Sequence, residues 1–121
     1  MILDYCQGGD LARVLAKERR FSEDRARIYA AEIILAIQYL HKRDIIFRDL
    51  KPDNVMIDNQ GHVKLIDFGF AKKLTSSSAR TYTNCGTVGY AAPEVIAGEI
   101  GYSFPADIWS FGILLAELLT G

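Results

Sequence analysis

Cysteine is scarce in this chain: among 121 residues there are two, Cys6 and Cys85. They lie far apart and in no metal-ligand spacing, so the sequence carries neither a disulfide framework nor a cysteine metal site. Both are read as reduced thiols of an intracellular protein, a single disulfide being the alternative. Histidine is equally rare. His41 is read as a helix-end residue and His62 as a turn residue, neither with a catalytic role. No sign of charge dominates: 14 basic and 15 acidic residues leave a net charge of −1. That balance excludes a general nucleic-acid binder or a basic membrane-surface protein. Long hydrophobic runs are missing too. The most apolar stretch, Ile28 to Leu40, is broken by Glu32 and Gln38 and falls short of the roughly 20 apolar residues of a membrane span. Met1 is followed by Ile2-Leu3-Asp4, too short for a signal-peptide core. The expected location is the cytoplasm, with the nucleus as a second possibility. No internal repeat or domain boundary is found, and the length suits one domain or part of one.

Half of the residues are hydrophobic, enough by composition for a packed core. The apolar run Ile2-Leu3-Asp4-Tyr5 reads as a strand ended by Gly8-Gly9. Asp10 then caps a helix from Leu11 to about Arg19, with Leu11, Val14 and Leu15 at helical spacing. Ser22, followed by Glu23 and Asp24, starts a second helix that runs to about Lys42. Ile28, Tyr29, Ala31, Ile33, Ile34, Leu35, Ile37, Tyr39 and Leu40 cover most of its circumference, which predicts a helix buried nearly all round. Short β-type runs follow at Ile45–Phe47, Val55–Ile57 and Val63–Ile66, the last two joined by the turn Asp58-Asn59-Gln60-Gly61. From Lys72 to Tyr90 the chain is polar and aperiodic, with a Ser-rich tip at 75–78. Helices are expected after Pro93 and from about Ala106 to Leu119. Ile108, Phe111, Ile113, Leu114, Leu115 and Leu118 are expected to pack the last one against the second helix, and Trp109 to lie in the core.

The chemistry concentrates in Phe47-Arg48-Asp49-Leu50-Lys51-Pro52-Asp53-Asn54, a loop held between two strands. It brings together a possible base, cations and an amide that can ligate a metal. Asp67-Phe68-Gly69 follows the next hairpin with a second carboxylate, and Gly69 is read as the residue that allows an unusual backbone turn. Ala92-Pro93-Glu94 follows the polar loop. Taken singly, Asp53 and Asn54 could be turn residues and Asp49 a cap. In this order, with Asp49 and Asn54 five apart, the set resembles the catalytic loop, DFG and APE motifs of eukaryotic serine/threonine protein kinases.

The resemblance runs from Met1 to Gly121. Gly8-Gly9-Asp10-Leu11 looks like the hinge, and Asp107-Ile108-Trp109-Ser110-Phe111-Gly112 like the start of the buried central helix of the large lobe. The implied fold is α+β, mainly helical: the central and C-lobe portion of a kinase domain, residues 1–121, with short hairpins around the catalytic loop. The resemblance implies ATP and Mg2+ as cofactors. Asp49 and Lys51 would be catalytic, Asn54 and Asp67 metal ligands, and Asp10, Asn54 and Asp67 cofactor contacts. Thr83 would be an activating phosphosite served by Arg48 and Lys72. Asp10, Asp53, Glu117 and Thr87 would bind the substrate, a protein or peptide with basic residues. Lys51 within Asp-Leu-Lys-Pro-Asp-Asn is similar to serine/threonine rather than tyrosine kinases. Phe47, Asp67–Lys72 and Thr81–Thr87 resemble the AGC group, especially cyclic-nucleotide-dependent kinases, and the long Ser-rich tip leans toward the cGMP-dependent branch.

Val88-Gly89 departs from the Pro-Glu expected before Tyr90, and Asn84 stands where an apolar residue is usual. No Gly-rich loop, strand lysine or partner glutamate is found ahead of these motifs, and the arginine expected opposite Glu94 is missing. The chain is therefore expected to be a kinase fragment, inactive by itself. A non-catalytic interaction module and a non-functional truncated product are the alternatives. The retained Asp49, Asn54 and Asp67 favour the enzyme.

Overall fold

The computed structural model describes residues 6–121. The strand read at Ile2–Tyr5 lies outside the described residues. The chain runs β1 (Gly9–Asp10), α1 (Leu11–Glu18), α2 (Glu23–His41), β2 (Ile45–Ile46), β3 (Val55–Ile57), β4 (Val63–Leu65), β5 (Lys72–Lys73), α3 (Pro93–Ala97) and α4 (Pro105–Thr120). Single 3-10 turns sit at Pro52–Asn54 and Phe68–Phe70. This is the expected α+β arrangement of helices around short hairpins.

Local chemistry sets the helix starts. The Asp10 carboxylate accepts from Arg13 N at 2.8 Å, and the Ser22 hydroxyl accepts from Arg25 N at 3.4 Å. Each occupies a backbone donor that the first helical turn leaves free. Glu23 and Asp24 add negative charge at the positive end of α2. Two small antiparallel sheets form, one ordered β1-β3-β4 and the other pairing β2 with β5. The pairing of Lys72–Lys73 with Ile45–Ile46 gives structure to a stretch that carries no strand pattern. Lys72 and Lys73 are exposed, so their side chains give no alternation to read.

α2 packs on α4 as expected, but the burial of both helices differs from the expectation. On α2 the buried residues are Ala26, Tyr29, Ile33, Ile37 and Leu40, a stripe at three- and four-residue steps. Ile28, Leu35 and Tyr39 are each more than half exposed, so the helix is not buried all round. On α4 the buried face is Ala106, Asp107, Ser110, Leu114 and Leu118. Ile108 and Trp109 are about half exposed and Ile113 partly so. Trp109 thus lies outside the core, lining an apolar groove with Phe104, Pro105, Ile108, Gly112, Ile113 and Glu94. The main core joins α1, α2, β3 and α4 through Leu11, Ile33, Ile37, Leu50, Val55, Leu114 and Leu118.

A polar clasp ties the β3–β4 hairpin to α2. The Glu32 carboxylate meets His62 Nδ1 at 2.7 Å and accepts from Val63 N at 2.8 Å. The bond to Glu32 and its negative charge raise the His62 pKa above 6.5, with Asp58 adding a smaller push. Burial pushes the Glu32 carboxyl up, yet the Val63 amide and His62 outweigh it and hold it below its ordinary range. A raised histidine stabilises the fold fully below its unfolded pKa and loses that contribution as pH rises through the folded one. Stability is therefore expected to fall as pH is raised from about 6 to about 8, and His62→Gln to flatten that slope. Urea midpoints across this range check it, and parallel profiles for the two proteins would contradict it.

Candidate active site

The loop between β2 and β3 places Asp49 at the centre of a dense polar cluster. Asp49 and Asn54 are both buried. Asn54 Nδ2 donates to the Asp49 backbone oxygen at 2.8 Å and to Asp49 Oδ2 at 3.0 Å. Lys51 Nζ lies 3.3 Å from Asp49 Oδ2. The Thr87 hydroxyl donates to Asp49 Oδ1 at 2.7 Å and accepts from Lys51 Nζ at 2.8 Å. Asp49, Lys51, Asn54 and Thr87 are thus brought together, with Thr87 arriving from more than thirty residues away. Gly86 makes that approach possible. It takes φ +95°, and a Cβ there would sit 2.6 Å from the Arg48 carbonyl oxygen.

Asp107 supports this loop from beneath. It is 1% exposed on the first turn of α4. Its Oδ2 accepts from Phe47 N at 2.8 Å and meets His41 Nε2 at 2.7 Å, while Oδ1 accepts from Arg48 N at 2.8 Å. A carboxylate only accepts, so His41 carries its proton on Nε2. The sequence reading missed both roles. A lone acid amid the apolar residues of a helix was the available signal, because such a group needs donors when buried. Arg48 takes a left-handed φ of 73°, which turns the chain between the two amides and Asp49.

The Asp67-Phe68-Gly69 turn follows β4. The left-handed residue is Asp67, with φ 61°, while Gly69 is not among the positive-φ residues. Gly69 eases a close approach instead: its N–H donates to Asp67 Oδ1 at 3.1 Å, and a Cβ would crowd that side-chain oxygen at 3.0 Å. Ile66 N donates to Asn54 O at 2.9 Å, extending the β3–β4 ladder. Asp67 therefore leaves the hairpin at the same end as Asn54. The Phe68 ring meets Phe47 edge-on at 5.3 Å. No described bond joins Asp67 to Asn54, and no cluster of three or more His, Cys, Asp or Glu able to hold a metal occurs among the described residues. The described side-chain bonds of Asn54 run through Nδ2 and that of Asp67 through Oδ1. Asn54 Oδ1 and Asp67 Oδ2 remain as hard oxygen donors. These suit magnesium, which takes few protein ligands and completes its shell with phosphate and water.

Arg48 and Lys72 do converge, but on Thr81 rather than Thr83. Lys72 Nζ lies 3.1 Å from Thr81 Oγ1, and Arg48 Nη1 lies 3.5 Å from it. Thr81 is buried and Thr83 exposed. The Thr83 carbonyl accepts a bond from the Tyr102 hydroxyl.

Asp53 and Glu117 line one groove of about 480 Å³ with Ala12, Leu15, Arg19 and Tyr90. The Tyr90 hydroxyl donates to Glu117 Oε2. Burial, then this bond and the Glu117 charge, push the Tyr90 pKa well above its ordinary value. Asp10 is not on this groove. It stands at the start of α1 with one oxygen spent on the cap. Cys6 and Cys85 are both free. No helix among the described residues is long and apolar enough to cross a membrane.

Relatives share this sequence over its whole length. The chain is 50% identical over 121 residues to cAMP-dependent protein kinase type 3 of Saccharomyces cerevisiae, covering all of this chain and 29% of that protein. It is 50% identical to serine/threonine-protein kinase sck2 of Schizosaccharomyces pombe, covering all of this chain and 19% of the relative. It is 48% identical to the cAMP-dependent protein kinase catalytic subunit of Dictyostelium discoideum, again over the whole chain and 18% of the relative. The chain thus spans less than a third of the length of these curated relatives. The expected likeness to serine/threonine kinases, and to cyclic-nucleotide-dependent ones among them, is borne out. The family described as "Protein kinase domain" matches residues 1–121, and the chain belongs to that family.

Proposed function

We propose that residues 1–121 are the hinge-to-large-lobe part of a serine/threonine kinase domain. The complete domain moves the γ-phosphoryl group of ATP to Ser or Thr hydroxyls. One observation carries this reading: the buried Asp49 carboxylate has donors on both oxygens, from Asn54 and Thr87, with Lys51 alongside. Such a group is held in one orientation, as an acceptor for a substrate hydroxyl proton must be. Magnesium-bound ATP supplies the transferred group and neutralises its charge. Asn54 and Asp67 would hold the metal through their remaining oxygens. Asp10 would use its second oxygen for the nucleotide or substrate, and Lys51 would steady the phosphoryl group. Thr83, exposed two residues beyond the Thr81 hydroxyl on which Arg48 and Lys72 converge, would be the regulatory phosphosite. A phosphate there adds about −1.5 to −2 charge, which two converging cations can take. The cytoplasm, with the nucleus as alternative, is the proposed location.

The first test is phosphate transfer from ATP to a serine peptide by the complete domain that contains this sequence. Transfer that EDTA abolishes is the expected result, and no transfer with magnesium present would sink the reading. Peptides with arginine before the serine should be preferred, because Asp53 and Glu117 face one groove. Asp53→Asn is expected to lower kcat/KM for the arginine peptide about tenfold against a neutral peptide, the size of a charge-assisted bond. An unchanged ratio between the two peptides would remove the proposed basic preference.

A further inference from the structure

Tyr102 belongs to no motif named above, yet its hydroxyl is the meeting point of three separate segments. It lies 3.4 Å from Arg48 Nη1 of the catalytic loop and 3.5 Å from Cys85 Sγ, and it donates to the Thr83 carbonyl. The side chain is 2% exposed. Its backbone forms a two-way bridge with Thr81: Thr81 N donates to Tyr102 O and Tyr102 N to Thr81 O, both at 2.9 Å. A phenol has one proton and two acceptor positions. The proton goes to Thr83 O, so the guanidinium and the Cys85 thiol are the donors on the other side. All three capacities of the oxygen are thereby used. Burial above all, with the Cys85 bond adding to it and Arg48 opposing it, pushes the phenol up to about 12, so the proton stays available to the carbonyl.

We propose that the Tyr102 hydroxyl is a positioning residue that holds Arg48 and the Thr83–Cys85 segment in place before any phosphate is present. It rests on the reading of Thr83 as the phosphosite. In this arrangement Arg48 and Lys72 rest on the Thr81 hydroxyl and Arg48 also on Tyr102. Thr83 is fixed through its carbonyl with its side chain outward, where a modifying enzyme can reach it. A phosphate on Thr83 gives the two cations a far stronger partner, and the hydroxyl then becomes dispensable. The sequence position of Tyr102, nearly twenty residues past Thr83, gives no hint of this contact.

The test is Tyr102→Phe, which keeps the ring and removes only the oxygen, in the complete kinase domain. Peptide phosphorylation is measured with Thr83 fully phosphorylated and after phosphatase treatment. Tyr102→Phe is expected to lower kcat about fivefold in the unphosphorylated enzyme, the worth of one or two net hydrogen bonds, and less than twofold in the phosphorylated one. Equal losses in both states would mark a merely structural role and overturn the proposal, as would no loss in either. A wild-type enzyme indifferent to dephosphorylation would sink the Thr83 switch instead, and that outcome is read before the variant is compared. Should the variant not fold, hydrogen exchange on the wild type decides. Amides of Tyr82 to Cys85 should be protected before as well as after phosphorylation, and protection only after it would overturn the proposal.

Discussion

Asp49→Asn in the complete kinase domain is expected to lower kcat for peptide phosphorylation by about 10²- to 10⁴-fold, the range of a lost general base. Asp49 Oδ1 accepts from Thr87 and Oδ2 from Asn54, with Lys51 at 3.3 Å. An amide has the same shape but can accept through only one atom, and it brings two donors of its own. Either Thr87 or Asn54 would then face a donor, and the substrate hydroxyl would meet a group that cannot take its proton. KM for ATP should change less than kcat, since Asp49 itself is not among the proposed nucleotide ligands Asp10, Asn54 and Asp67. Steady-state kinetics against peptide and ATP separate the two effects. A variant within threefold of wild-type kcat, roughly 0.65 kcal/mol in the barrier, would remove Asp49 from the catalytic role.

Asp107→Ala is expected to destabilise the domain strongly, by about 3–5 kcal/mol. The side chain is almost wholly buried and serves three donors: Phe47 N, Arg48 N and His41 Nε2. Removing it leaves two main-chain N–H groups and an imidazole N–H without partners, each costing roughly 1–3 kcal/mol where water cannot replace the bond. Asp107→Asn should cost less, because its amide oxygen still accepts. Denaturant unfolding gives the first readout. The second is kcat, which should fall with stability because Arg48 and Asp49 share the backbone turn that Asp107 anchors. A loss of under 1 kcal/mol for Asp107→Ala would show that the loop holds its own shape.

The motifs were legible because phosphoryl-transfer chemistry needs particular side chains at fixed local spacing. Asp49, Lys51 and Asn54 lie within six residues on one constrained loop, and the structure gathers all three. The Asp10 and Ser22 caps and the Asp58–Gly61 turn were legible for a similar reason, since each is settled by bonds between residues two to four apart. The Asp67-Phe68-Gly69 turn was legible as a motif but not as geometry. Glycine's freedom suggested that Gly69 would carry the strained backbone angle. Asp67 carries it instead, because its own carboxylate can bond the amide two residues on.

The burial of α2 and the target of the two cations were not legible. Apolar residues surround α2 in sequence, yet only the stripe from Ala26 to Leu40 finds a partner among α1, the hairpin and α4. Periodicity reports which residues could be buried, and the neighbours present decide which of them are. Arg48 and Lys72 pointed to Thr83 by motif, but the Thr81–Tyr102 bridge sets Thr81 inward, so its hydroxyl receives both.

The sequence by itself determined the class of chemistry, the order of the helices, the β3–β4 hairpin, the caps of α1 and α2 and the loop that carries Asp49. Those features depend on neighbours along the chain, whose bonds form at little cost in chain entropy. Only the tertiary structure decided that Asp107 anchors the catalytic loop across about sixty residues, that Thr87 closes on Asp49, and that Tyr102 gathers Arg48, Thr83 and Cys85. Each of these joins segments that packing alone brings together, and a buried polar group bonds to whatever donor or acceptor the packed core places beside it.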